Sequence, residues 1–232
     1  LDAGCGDGST LFLLAKEFGV LPFGIDVSEE ALKRARSFFQ QNGIKSEFKR
    51  ADTRSIPFPS NPFDLILSWG VIDQFSNYDL AIDEFHRILK PQGTLSLIQP
   101  HKFSFGPLQR LWLQLLGRWE SGFQIEFSGK FLKSLLAQKE FAKIEYFVTP
   151  PFIDIKSVYY ADSIVHKFWK GWGHYLYLIA NKRRGAVTQK PVVLIKPDAF
   201  ASNVVNRIIT MIESLSDAKI LKKEVFTPTK ED

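Results

Sequence analysis

One cysteine stands among 232 residues. No intrachain disulfide can therefore form, and a reducing compartment, the cytoplasm, is the expected setting. No apolar run approaches the ~20 residues that a membrane-spanning helix requires, and the chain opens on no secretory signal pattern. Concentrated positive charge is also lacking. The net charge is +5, yet the longest Lys/Arg run is Lys182-Arg183-Arg184. Nucleic-acid binding needs a clustered basic footprint, so it is not expected, and a solvated basic surface is. No internal repeat, low-complexity segment or metal-ligand pattern is evident, and no metal is expected.

What is present suffices for a packed core: 45% hydrophobic and 14% aromatic residues. Leu1 to Ala3 read as the end of a strand that runs into the glycine loop "GCGDG". Thr10 to Phe18 has helical spacing. "LPFGID" is a short strand ending in Asp26. Ser28 suits a helix N-cap with Glu29 and Glu30 in the first turn, and Asn42-Gly43 ends that helix. "KSEFKRAD" is a third strand and "FDLILSW" a fourth, nearly continuous in apolar residues as a buried parallel strand is. Asp79 to Leu89 is an amphipathic helix, Lys90 to Gly93 a turn and "TLSLIQP" a fifth strand. This alternation predicts an α/β, doubly wound, mostly parallel Rossmann-like sheet. Ligands of such sheets bind at the carboxyl ends of the strands. Gly4 to Gly8, Asp26, Asp52 and Trp69 all fall there.

The rhythm then changes. Leu108, Leu111, Trp112, Leu115, Leu116 and Trp119 recur at helical spacing, with Gln109, Arg110, Gln114 and Arg118 on the other face. The expected use is a lid packed on the domain. A wall for an apolar acceptor and a membrane-surface patch are the alternatives, and membrane contact is not expected. Gly129 to Gln138 is a further helix, and "KIEYFVT" and "HYLYLIAN" are strands at the far edge of the sheet. Tyr159, Tyr160, Phe168, Trp169 and Trp172 enrich the stretch between those strands and suggest a bulky or apolar substrate. A domain boundary is placed near Gly185, giving domains over 1–185 and 186–232.

The glycine loop narrows the ligand. A dinucleotide loop has G-x-G-x-x-G spacing, which would put the third glycine at Ser9, not Gly8. Asp2 and Asp7 flank the loop, where their charges oppose a pyrophosphate and suit a net-cationic ligand such as S-adenosylmethionine. Asp26 stands 20 residues after Gly6 and can accept hydrogen bonds from both hydroxyls of a ribose. Asp52 suits an exocyclic amine, because a carboxylate is acceptor-only. Cys5 reads as a small buried filler.

The blocks "LDAGCGDGS", "FGIDVSEEAL", "RADTRSIPF", "FDLILSWGVIDQF" and "FHRILKPQGTLSLIQP", in this order, resemble class I S-adenosylmethionine-dependent methyltransferases of the ubiquinone-biosynthesis-like, type 11 group. The resemblance runs from Leu1 to about Lys182 and departs at Gln92, where the family has glycine. It implies that Asp2, Gly4, Gly6 and Gly8 hold the methionine end of the cofactor, Asp26 the ribose, and Asp52 and Thr53 the adenine. Ser68 and Trp69 then line the pocket. The partner it implies is a small-molecule acceptor. If the methyl acceptor is a hydroxyl, His101 is the first candidate base and Asp73 the second. A dinucleotide-dependent oxidoreductase and an inactive cofactor-binding or assembly module are the competing readings.

Beyond Gly185, "VVLIKPDAF" and "VVNRIITMIESLSDAKILKKEVFTPTKED" resemble the start of nucleoside diphosphate kinase, an α+β ferredoxin-like β-α-β piece. The resemblance implies that Lys196 contacts nucleotide phosphates. "SNVV" (Ser202 to Val205) departs from the family's glycine-containing helix start. His86, His101, His166 and His174 all precede this piece, so it lacks the family's phosphate-accepting histidine and is expected to be inactive. Both ends are expected to be truncated. A central strand needs apolar residues before Leu1, and the kinase-like part stops at Asp232.

Overall fold

The computed structural model describes residues 1–119, 122–149 and 158–183. The expected kinase-like piece, with Lys196, lies outside the described residues. Elements follow in the order β1 (Asp2–Ala3), α1 (Ser9–Phe18), β2 (Phe23–Asp26), α2 (Glu29–Gln41), β3 (Glu47–Arg50) and β4 (Phe63–Trp69). A 3-10 turn (Ile72–Gln74), α3 (Tyr78–Ile88), β5 (Leu89–Pro100), α4 (Gly106–Leu115) and α5 (Gly129–Gln138) come next, then β6 (Phe141–Thr149), α6 (Val158–Phe168) and β7 (Tyr175–Lys182). The strands form one sheet of order β3-β2-β1-β4-β5-β7-β6. β1 to β5 run parallel, and β7 lies antiparallel between β5 and β6.

Helices cover both faces because the central strands are apolar on both. Ile66 belongs to a core with Phe85, Ile88, Leu132 and Leu136, which come from α3 and α5. Its neighbour Leu67 points the other way, into a core with Leu11, Leu14, Leu32 and Phe39 from α1 and α2. Successive residues of a strand face opposite sides, so one strand feeds both layers. Phe39 closes the second core edge-on against Phe48 of β3, ring centres 5.1 Å apart.

Local chemistry sets the ends of the elements. Ser28 caps α2 by accepting the Ala31 amide, and Ser128 caps α5 by accepting the Phe131 amide. Gln92 has φ 65°, a left-handed conformation in which glycine is at ease. The turn before β5 keeps its shape despite the side chain. β5 begins earlier than expected, at Leu89, and takes this irregular turn into the strand, with the pairing to β4 shifted between Phe63 and Leu65. β7 lies one strand in from the far edge, and of the two only β6 is at that edge. The aromatic stretch before β7 forms α6, a helix not read from the sequence.

The expected lid does not bury its apolar stripe. No residue of α4 is buried, and Leu108, Leu111, Trp112 and Leu115 face solvent. The polar side is held instead: Arg110 makes a two-pronged ion pair with Glu126, 2.7 and 2.9 Å. No helix among the described residues is long and apolar enough to cross a membrane.

The core under α3 is tightly packed. Phe85 is fully buried within it, so Phe85→Ala should cost about 3–5 kcal/mol of stability. Urea unfolding measures this; a loss below about 1 kcal/mol would show a core that repacks freely.

Candidate functional site

The glycine loop turns sharply because three of its residues adopt conformations that L side chains avoid. Gly4, Gly6 and Gly8 have φ of 89°, 55° and 78°. Gly4 is also pressed from above: a Cβ there would lie 2.2 Å from a Val71 methyl. At Gly6 a Cβ would meet nothing within 4 Å, so the loop is open at that point. Its backbone amides are already engaged. Gly4 and Cys5 donate to the Ile25 carbonyl and Gly8 to the Cys5 carbonyl. Gly6 donates to Asp26 Oδ2 at 2.9 Å, and Ser9 to Asp7 Oδ1 at 3.0 Å.

Asp26, at the end of β2, thereby joins the loop to the strand. Its other oxygen accepts the Ser28 amide at 2.8 Å. A carboxylate has about four lone-pair sites; two are used, and the half-buried group keeps acceptor capacity toward a ligand. Asp2 is buried on β1, directly before the loop. Cys5 is buried inside it, and burial together with the charges of Asp2 and Asp26 pushes its thiol pKa up. It is a packing residue, not a nucleophile.

Asp52 follows β3 and holds a partner that sequence reasoning missed. Arg54 donates its amide and its Nε to Oδ1, at 2.8 and 2.9 Å, and a guanidinium nitrogen to Oδ2. The Arg54 hydrogen bond holds the Asp52 carboxyl below its ordinary range. Arg54 also lies over the Phe75 ring, 4.7 Å from its centre. Thr53 is buried beside this pair. At the end of β4, Ser68 is buried and Trp69 is half-buried, its indole donating to Ser96 Oγ of β5 at 3.2 Å.

His101 and Asp73 occupy the other side of the sheet's carboxyl edge. The backbone at 125–127 straps them together: Ile125 donates to the Asp73 carbonyl, Phe127 to that of Pro100, and Lys102 to that of Phe127. His101 Nδ1 lies 3.0 Å from the Gly173 carbonyl. A carbonyl only accepts, so Nδ1 carries the proton and Nε2 is the basic nitrogen. Burial lowers the His101 pKa, partly opposed by the Gly173 carbonyl, and the ring is neutral near pH 7. Asp73 accepts the Gln74 amide nitrogen at 2.6 Å, and burial raises its pKa to about 6. Neither Gln74 nor Gly173 was singled out from the sequence. Gln74 adjoins Asp73 in "VIDQF", but Gly173 is 72 residues from His101 and no local pattern connects them.

A doubly wound sheet carrying a glycine turn, with an acid at the end of the next strand, defines a class of nucleoside-handling α/β proteins. Residues 1–93 match the family model of the methyltransferase domain. The chain is 30% identical over 189 residues to an uncharacterized protein of Methanocaldococcus jannaschii, covering 76% of this chain and 75% of that protein. It is 30% identical over 118 residues to the demethylmenaquinone methyltransferase of Thermus thermophilus, covering 49% of this chain and 54% of the relative. With this and similar relatives, the chain spans about a third to a half of their length. Among solved structures it is similar to phosphoethanolamine N-methyltransferase 2 of Haemonchus contortus in complex with S-adenosyl-L-methionine. The TM-score is 0.62 and the identity 17%, over 79% of this chain and 48% of that one. Residues 1–93 are thus similar to a methyltransferase domain, and the chain shares the fold of a solved class I methyltransferase.

The buried Asp73 makes stability depend on pH. Its folded pKa of about 6 exceeds the ordinary carboxylate value, so between about pH 4 and 6 the folded state binds more protons than the unfolded chain. Its contribution therefore weakens as pH rises through that window. Asp73→Asn removes this titration. Relative to the wild type, the variant should gain up to roughly 1.4 kcal/mol per pH unit across the window and level off above it. Urea unfolding at several pH values checks this, and a pH-independent difference would refute it.

Proposed function

We propose that the chain transfers a methyl group from S-adenosylmethionine to a small, bulky or apolar acceptor. The observation that carries this is the state of the glycine loop. Its amides at Gly4, Cys5, Gly6, Gly8 and Ser9 donate within the protein, whereas a pyrophosphate cradle presents such amides to the ligand. With Asp2 and Asp7 beside it, the loop suits a cationic group, and a dinucleotide is disfavoured. An inactive binding module fits less well, because a neutral histidine and a titratable carboxyl stand at the acceptor side.

The residues divide the task. Asp2, Gly4, Gly6 and Gly8 would hold the methionine end, and Asp26 the ribose hydroxyls with its remaining lone pairs. Asp52 and Thr53 would take the adenine. Asp52 shares its carboxylate with Arg54, so an amine would use the free acceptor site of Oδ2. Ser68 and Trp69 would wall the pocket. When bound, S-adenosylmethionine supplies a methyl group already activated by its sulfonium, so positioning and exclusion of water account for much of the rate. His101 Nε2 would accept the proton of a hydroxyl acceptor, with Asp73 as the alternative base. In the segment over 186–232, Lys196 would be the phosphate contact that the kinase resemblance implies.

Calorimetry tests the reading. The chain should bind S-adenosylhomocysteine, and Asp26→Ala should weaken binding by about 1–2 kcal/mol or more, the scale of a lost charged hydrogen bond. Equal affinities would remove the ribose assignment. Tight NADH binding without S-adenosylhomocysteine binding would overturn the reading.

A further inference from the structure

α4 is an amphipathic helix mounted with its apolar stripe outward. Leu111, Trp112 and Leu115 are 53%, 59% and 78% exposed, while the Arg110–Glu126 pair secures the opposite face. A second apolar cluster adjoins its N-terminal end. Phe105, the residue before α4, packs edge-on against Trp172 with ring centres 5.1 Å apart. Trp172 touches Trp169, and Trp169 approaches Phe103. The Phe105 amide donates to the buried Asp162 of α6 at 2.8 Å, so the two elements are fastened to each other. Phe168 and Trp169 are both exposed and stand between exposed Lys167 and Lys170.

Among the described residues of 101–131 and 158–174, every exposed charged side chain is basic: Lys102, Arg118, Lys130, Lys167 and Lys170. The described acids are withdrawn. Glu126 is held by Arg110, and the fully buried Asp162 accepts the Phe105 amide and the Trp172 indole. Elsewhere the surface mixes signs, as on α2, where Arg34 and Arg36 pair with Glu30 and Glu29.

We propose that α4 and the Lys167–Lys170 turn dock on an anionic lipid bilayer. Leucine and tryptophan side chains on one helical face, with lysines beside exposed aromatics, are what a helix lying in the headgroup layer requires. A basic rim draws such a surface to anionic lipid. A two-fold contact with a second copy would set this basic rim against itself, which like charges oppose. Exposed Phe103 meets the buried His101 ring at 5.5 Å, so docking would bring the acceptor side of the site near the bilayer. That use rests on the methyltransferase reading, but the docking itself does not.

The test is co-sedimentation of the full chain with vesicles of phosphatidylcholine alone or of equal parts phosphatidylcholine and phosphatidylglycerol. The chain should pellet with the anionic vesicles and be released by high salt. Binding should fall about tenfold or more in Lys167→Glu/Lys170→Glu, and also in Trp112→Ser/Leu115→Ser. These side chains are exposed, so circular dichroism should be unchanged. S-adenosylhomocysteine binding by the same variants should persist; its absence in the wild type would overturn the methyltransferase reading and leave docking standing. No pelleting with anionic vesicles, or equal pelleting by both variants and wild type, overturns docking. So does sedimentation velocity showing a dimer that Trp112→Ser/Leu115→Ser dissociates, because the face then serves a second copy.

Discussion

The two amides that Asp26 accepts, from Gly6 and Ser28, fix how the glycine loop meets the second strand. The rest of the proposed cofactor side is arranged around this clamp. The loop leaves β1 in a left-handed conformation, crosses toward β2 and launches α1, while Ser28 on the other oxygen opens α2. One carboxylate thereby ties the glycine loop to the start of α2. Its negative charge lies beside the loop with Asp2 and Asp7, which suits the cationic ligand proposed above.

The proposed acceptor side is built differently. It follows the parallel part of the sheet and depends on contacts between distant segments. The backbone at 125–127 bridges Asp73 and Pro100, Gly173 receives His101, and Asp162 of α6 reaches the start of α4. Inserting β7 antiparallel beside β5 makes this assembly possible, because the residues leading into β7 arrive at the carboxyl end of β5. The proposed cofactor side is local, whereas the proposed acceptor side is assembled from segments far apart in sequence.

The parallel half of the fold was legible in the sequence because its signals are local. The Ser28 cap, the apolar run of β4 and the Gly4–Gly8 spacing each act within a few residues, and Gln92 marked a turn whose backbone is left-handed. Arg54 lies only two residues from Asp52, but no sequence pattern marks its side chain as folding back on the carboxylate. Long-range partners were hidden too. Nothing near His101 announces Gly173. The stripe on α4 was visible as periodicity, but periodicity is blind to direction. Its orientation is settled by Arg110 and Glu126, 16 residues apart, and by an acid on another helix. α6 escaped notice because its aromatic residues read as substrate wall more readily than as helix.

Cys5 lends the molecule a practical property. It is the sole cysteine of the chain, and its thiol is buried with its pKa raised, so little thiolate forms near neutral pH. This chain therefore offers electrophilic reagents almost no background. A cysteine introduced on the exposed stripe of α4 would take up a spectroscopic label at that position alone, and the environment of that helix can be read in a chain otherwise unaltered.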